Sequence, residues 1–454
     1  MNAQGMLREV FYIVILEVVM FKAGFSRVDV TPPLGSYVAG YFFPRYAKGV
    51  LDPIELNAAA FSDGERTVLV IVADFIGVDK GHCDKIRKKI SDRVGVPAEH
   101  ILLTSLHQHT SVCIANKIPQ TKDDFYYMES VYRKYCDVAQ MAMNDMSDAV
   151  LSYGEEETAE PIAFIRRYVM KDGTIATNPD GRTSEIVRPC NDADNTVRLL
   201  RLTREGKKDI AFVNFCTHPD VVGGEYLSAD WPGFARRYVE KDLENVSCLL
   251  LNGCQGDSNH CDFINGVRGG YAHSSHMGRL IADAVCRIWD RTEARTVDRV
   301  GCMMEVVYNK TRTEGEEEYE AAKQLLAGDR EAHMKDSLVG ITRLGRATRI
   351  VRLRESAQMY QKVPVTVLAI GETVIVGFGG EPFTHYAVAI REQLPKKTVL
   401  TACCANGYEG YLPTAKAFEE GGYEASSSSF SENLERDCVA AVIRMIEKND
   451  FFEL

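Results

Sequence analysis

Apolar runs of β-forming residues, each closed by polar or turn-forming residues, recur along this chain, and stretches with helical spacing lie between them. Residues 21–35, FKAGFSRVDVTPPLG, read as an alternating strand stopped by Thr31-Pro32-Pro33 and Gly35. Residues 56–61 and 67–73 pair as a hairpin over Ser62-Asp63-Gly64, a strong turn signal. The second of these strands, TVLVIVA, is apolar throughout and is predicted to be buried on both faces. A Lys/Arg-rich helix through Arg93 then leads into the strand ILLTS at 101–105, so the segment is a βαβ unit within a mixed or parallel sheet. Residues 124–151 are predicted to form one long amphipathic helix.

Beyond a short strand at 162–165, residues 195–202 and 210–216 form a second hairpin-like pair. A helix at 234–243, a strand at 247–251 and a helix at 272–291 complete a second α/β stretch. A strand at 301–309 precedes the charged region 314–360, which reads as a solvated helical hairpin, with an anion-binding face as the alternative for its arginines. Residues 365–370 and 374–378 make a tight hairpin over Gly371-Glu372, followed by a helix through Gln393 and a last strand at 399–403. Only the serine run at 426–429 resembles a linker. The fold class expected is α/β, with mixed sheets flanked by helices, in one large domain over 21–454.

Composition narrows the partners. The net charge of −11 disfavours nucleic acid and anionic membranes, and a small-molecule substrate is expected instead. Thirteen scattered cysteines fit free thiols in a reducing cytoplasm, with secretion as the alternative. The apolar segment 11–21 is interrupted by Glu17 and is too short to span a bilayer, so no stable membrane insertion is expected. Residues 1–20 read as an extension, either a weak targeting segment or residues ahead of a true start at Met20.

The candidate chemistry sits where strands end. His107 and His109 close ILLTS at i, i+2, a spacing that puts both on one face of an extended backbone. They could be metal ligands, an acid–base pair, or simply hydrogen-bonded loop residues. His218 closes a second strand, Glu381 follows a double glycine after a third, and Tyr408 and Tyr411 follow a fourth. Two histidines and a carboxylate suffice for a catalytic zinc site with one open position. Taken singly, His218 before Pro219 is an ordinary turn residue, and Glu381 an acid suited to a helix N-terminus.

Several ordered motifs make the chain resemble the neutral/alkaline ceramidases, which are zinc-dependent amidases. RVDVTPP stands where that family has its ADIT-like strand. His107-Gln108-His109-Thr110-Ser111 stands for its H-T-H-S-G-P, and Asn214-Phe215-Cys216-Thr217-His218 for its N-F-x-x-H. Ser228-Ala229-Asp230 matches S-G-D, and Gly380-Glu381-Pro382-Phe383 matches G-E-F. The family's tyrosine motif corresponds to Asn406, Tyr408, Tyr411 and Thr414, with Tyr423-Glu424-Ala425 after it.

The resemblance implies a zinc ion held by His107, His218, Glu381 and Tyr411. It also implies that His109, Tyr423 and Arg166 stand near a scissile carbonyl, with the adjacent Arg167 as the alternative to Arg166. The family's serine loop corresponds to Gly256-Asp257-Ser258-Asn259, one position shorter and without its proline, which weakens the case for Ser258 as a catalytic group. The activity implied is hydrolysis of an acyl C–N bond by metal-activated water. The chain ends soon after the tyrosine motif, without the family's C-terminal domain, so the expected substrate is a soluble N-acyl compound rather than ceramide. The alternatives are an O-deacylase on the same site and a non-catalytic metal-binding protein. A phosphoesterase would need more Asp and His ligands. A structural zinc cluster of Cys254, His260, Cys261, Cys403 and Cys404 fits no established spacing.

Overall fold

Strand parity sorts the side chains into cores. The computed structural model describes residues 21–41, 43–115, 122–328 and 337–448; the extension predicted over 1–20 lies outside them. In the strands Glu55–Ser62 and Thr67–Ala73, Ala59, Phe61, Val68, Val70 and Val72 face one core, while Ala58, Ala60, Leu69 and Ile71 face another. This period-two division confirms that TVLVIVA is buried on both faces. Each fully buried Val, Leu or Ile contributes about 1.5–3 kcal/mol.

Those strands belong to a mixed sheet whose strand order is Val246–Asn252, Asp209–Phe215, Thr196–Arg204, Ser147–Glu157, Lys22–Asp29, Glu55–Ser62, Thr67–Ala73 and Ile101–Ser105, with Glu293–Arg295 pairing onto Ser147–Glu157. The helices Lys80–Val94 and Lys122–Asn144 cover one of its faces through Ile86, Ile90, Val131, Tyr135 and Val138. The helices Asp230–Asp242 and Tyr271–Ile288 contribute Trp231, Val239, Ile281 and Val285 to the other core. A second sheet, ordered Val300–Lys310, Tyr360–Ile370, Thr373–Phe378 and Thr398–Ala402, packs under the helices Thr384–Gln393 and Leu434–Glu447.

Within these two sheets most strands pair antiparallel, but three pairs are parallel: Thr67–Ala73 with Ile101–Ser105, Asp209–Phe215 with Val246–Asn252, and Thr373–Phe378 with Thr398–Ala402. Their carboxyl ends meet. Asn252 Nδ2 donates to Leu106 O (2.9 Å), which ties the ends of the first sheet's two edge strands together. Cys403 N donates to Asn252 O (2.9 Å), Asn406 N to Leu103 O (2.8 Å) and Thr104 Oγ1 to Cys403 O (2.6 Å), which brings in the second sheet.

One predicted element is wrong in part. The helix expected over 124–151 ends at Asn144, and Ser147–Glu157 is a strand near the middle of the first sheet. Its pairing with all of Thr196–Arg204 outweighs a local sequence that tolerates helix. The 314–360 region is helical over Glu316–Ala327 and Ser337–Ser356. Its arginines pair with the acidic run, Arg354 with Glu316, Arg346 with Glu318 and Arg349 with Glu314. That is the helical-hairpin reading rather than the anion-binding one.

Candidate metal centre

His107 lies just past the edge strand Ile101–Ser105, in left-handed backbone with φ +70°. The i, i+2 argument therefore fails in its geometry, because the strand has ended before the histidines begin. A turn aims them instead. It is held by Leu106 N on Ala73 O (3.0 Å) and His107 N on Phe75 O (3.0 Å). A non-glycine residue in this region costs of order 1–3 kcal/mol, a strain that collects at functional sites.

Three side chains from three strand ends converge. His107 Nδ1 contacts Ile76 O (2.8 Å), and His218 Nδ1 contacts both Gln255 O and Ser258 O (2.9 Å each). Carbonyl oxygens only accept, so both rings carry their proton on Nδ1 and turn Nε2 inward. There Glu381 Oε2 sits 3.2 Å from His107 Nε2 and 3.0 Å from His218 Nε2. The other carboxylate oxygen, Oε1, accepts from Tyr408 OH (3.0 Å). All three site residues are almost wholly buried. Histidines that donate one nitrogen to a carbonyl and present the other are arranged as metal ligands are.

His109 stands beside this trio, with its ring 4.9 Å from that of His107 and 5.8 Å from that of His218. Neither of its ring nitrogens has a hydrogen-bond partner among the described residues. Its outer flank is Tyr41, edge-on at 5.7 Å, and Gly40, where a Cβ would come within 2.8 Å of His109 Nδ1. Among the described residues, His107, His109 and His218 form the group whose donor atoms all lie within 4.8 Å of one another, as a metal ion requires. The cysteines proposed as an alternative zinc cluster are free thiols and form no such group among those residues.

Arg166 brings a cation to the other side. Its NH1 is 3.5 Å from His218 Nε2, its NH2 donates to Gly256 O (2.8 Å), and its Nε is 2.8 Å from Glu424 Oε1. Its guanidinium lies 5.2 Å from the centre of the Tyr411 ring, which is 5.5 Å from the Tyr423 ring and 6.5 Å from His218. Arg167 points away, to Glu420 (3.0 Å) and Gly421 O (2.8 Å), and also meets Glu424. Tyr411 pairs through its backbone with Glu381. Ser258 reaches the site through its carbonyl on His218, while its hydroxyl meets Thr217 Oγ1 (3.4 Å). The sequence marks residues 40–55, GYFFPRYAKGVLDPIE, as a Gly-, Pro- and aromatic-rich loop of the kind that lines or covers a pocket, and Gly40 and Tyr41 beside His109 belong to it.

The electrostatics follow from burial and crowding. Burial, with His107 next, takes the His109 imidazole down to about 3. Burial opposes a charged Glu381, yet the two imidazoles hold its carboxyl well below the usual range. Burial and Arg166 lower His218, and burial keeps Tyr408, Tyr411 and Tyr423 protonated.

Neither a family model nor a curated protein matches the chain. Solved structures do match it, among them neutral ceramidase from Pseudomonas aeruginosa at a TM-score of 0.71 and a ceramidase complexed with C2 at 0.68. The fold is that of the neutral ceramidases. Each alignment covers 94% of this chain at 13% identity, with 74% of the first structure and 76% of the second. At that identity the likeness is one of architecture. In this ceramidase fold, the meeting of three parallel pairs is what gathers the site. Among the described residues no helix is long and apolar enough to cross a membrane.

Proposed function

We propose that this chain is a metal-dependent amidohydrolase, a ceramidase-like N-deacylase whose ion is zinc. The observation that carries the reading is the pair of inward Nε2 atoms closing on one carboxylate oxygen, each ring pinned by carbonyls on its far side. Two imidazoles and a carboxylate are a donor set that suits zinc. We assign His107, His218 and Glu381 as ligands, with Tyr411 as a fourth. Glu381 is preferred to His109 as the third because it touches both imidazoles. The chemistry zinc supplies when bound is acidification of a water and polarisation of a carbonyl.

This chain's residues supply the rest. His109, with a lone pair and an N–H both uncommitted, takes the proton of the attacking water and returns it to the leaving amine. Arg166 and Tyr423 stabilise the negative charge that develops on the acyl oxygen. Ser258 holds His218 in place through its carbonyl and is assigned no nucleophilic step. The substrate is a soluble N-acyl compound, a reading supported by the net charge of −11, and the free thiols support a reducing cytoplasm as its setting.

The test is bound-metal analysis with a substrate panel. Purified protein is expected to carry about one zinc per chain and to hydrolyse short soluble amides in a chelator-sensitive way, with His107→Ala losing both. Protein that binds no metal ends the reading. Turnover of ceramide vesicles alone overturns the substrate, and cleavage of esters alone moves the activity to O-deacylation.

A further inference from the structure

Beside the metal site lies a second constellation that the proposed hydrolysis does not use. Asp220, His260 and Cys261 stand in the order carboxylate, imidazole, thiol. His260 Nδ1 is 3.1 Å from Asp220 Oδ1, and His260 Nε2 is 3.2 Å from Cys261 Sγ. His260 is buried, while Asp220 and Cys261 at the two ends of the array are both half-buried. The ring is held where it is. A Cβ on Gly269 would come within 2.7 Å of His260 Nε2 and 2.6 Å of Val221 O, so glycine lets that segment close over the imidazole. Cys261 N donates to Asn259 Oδ1 (3.0 Å), which fixes the turn carrying the sulfur.

The Asp220 carboxylate lies at ion-pair distance from His260 Nδ1, without the alignment of a hydrogen bond, and favours the charged imidazole. Its Nε2 is then directed at the sulfur, either as the acceptor of the thiol proton or, once it has that proton, as a cation beside a thiolate. An imidazole between a carboxylate and a nucleophile is how proteins raise thiolate at neutral pH. Burial alone would lower His260, but Asp220 and then Cys261 raise it to about 10. The other groups facing the pair are Asp230, His273, Tyr41 and Tyr168.

We propose that Cys261 is a reactive thiolate site, activated by His260 and Asp220, that takes soft electrophiles and peroxides. With hydrogen peroxide, the thiolate sulfur attacks one oxygen, an S–O bond forms and the O–O bond breaks. The departing hydroxide takes the proton from His260 Nε2 and leaves as water. The attacked oxygen keeps its hydrogen, so sulfur is oxidised by two electrons to sulfenic acid and the peroxide is reduced to water. Most of the other cysteines are buried; Cys113 and Cys286 are half-buried like Cys261 and serve as internal controls, since among the described residues neither hydrogen-bonds to an imidazole.

The experiment is site-resolved alkylation of the full chain with iodoacetamide at pH 6 and pH 9, read by peptide mass spectrometry, with dimedone trapping after hydrogen peroxide. Cys261 is expected to react at least tenfold faster than Cys113 and Cys286 at pH 6, and to yield the dimedone adduct. His260→Gln should remove most of that advantage at pH 6 while changing the rate at pH 9 by less than about threefold, a split that a merely structural role would not produce. Asp220→Asn, which keeps the shape, is the second variant and should lower the pH 6 rate in the same direction. Equal rates at the three cysteines, or an unchanged rate in folded His260→Gln and Asp220→Asn, overturns the proposal. The readouts need neither metal nor acyl hydrolysis, so failure of the proposed function leaves them intact; because Asp220 also faces His109 and His218, all rates are compared at one fixed metal content.

Discussion

At the scale of single residues, His107 and His109 are two positions apart and hold different places. His107 is committed on both sides, with Nδ1 on Ile76 O and Nε2 on Glu381, while His109 has neither nitrogen engaged among the described residues. On the proposed mechanism this separates binding from proton transfer. His109→Ala is expected to keep its zinc and to lower kcat by about 10²- to 10⁴-fold, the usual worth of a positioned acid–base group. Metal analysis beside steady-state kinetics checks it. Loss of zinc in His109→Ala would instead make His109 a ligand, in keeping with the tight grouping of the three histidines.

At the scale of elements, the helical hairpin has a task that its charge pattern does not show. Arg349 is buried on the Ser337–Ser356 helix, pairs with Glu314, and donates from Nε to Ser426 O (2.9 Å). Arg312 NH1 donates to Ala425 O (2.7 Å), and Arg352 NH2 to Ser429 Oγ (2.7 Å). These arginines anchor the segment that follows Tyr423. Arg349→Ala strands Glu314 and frees Ser426 O, a change that costs about 3 kcal/mol when a buried pair is broken. The expected outcome is a lower Tm and a reduced kcat with zinc retained, measured by calorimetry and kinetics on the same preparation. An unchanged kcat would mean that the Tyr423 segment holds its position without the hairpin.

At the scale of the whole molecule, hydrogen bonds and ion pairs join the two sheets, and an ion-paired carboxylate is among the groups that do so. Asp194 precedes the Thr196–Arg204 strand of the first sheet; it accepts from Arg198 NH1 (2.9 Å) and from Arg391 NH1 (3.1 Å), on the helix that covers the second. Burial opposes its charge, but Arg198 and then Arg391 hold its carboxyl below the ordinary range. A depressed carboxylate adds stability that is present above its unfolded value, about 3.9, and is lost as pH falls through the folded one. Asp194→Asn is therefore expected to lower stability at pH 7 by about 1–2 kcal/mol, after allowance for partial exposure. The gap from the native protein should close as pH falls below about 4. Denaturant titrations at pH 7 and pH 3 measure both, and a gap that persists at pH 3 would show a role in shape rather than charge.

Period-two apolar runs, the Ser62-Asp63-Gly64 turn and the polar residues at strand ends were legible in the sequence, because strand burial and turn geometry are set over a few neighbouring residues. They determined the α/β class, most strands, and His107, His218 and Glu381 as candidates. The Ser147–Glu157 strand was not legible, because its conformation is set by partners far along the chain. Nor was the split between Arg166 and Arg167: neighbours of the same type, they part only because Arg167 turns to Glu420 and Gly421 while Arg166 reaches His218. Tertiary structure alone decided which strand ends meet, and so which histidine faces Glu381 and which stands open. Sequence spacing fixes local direction, whereas the distance between His107, His218 and Glu381 depends on three parallel pairs closing at one place.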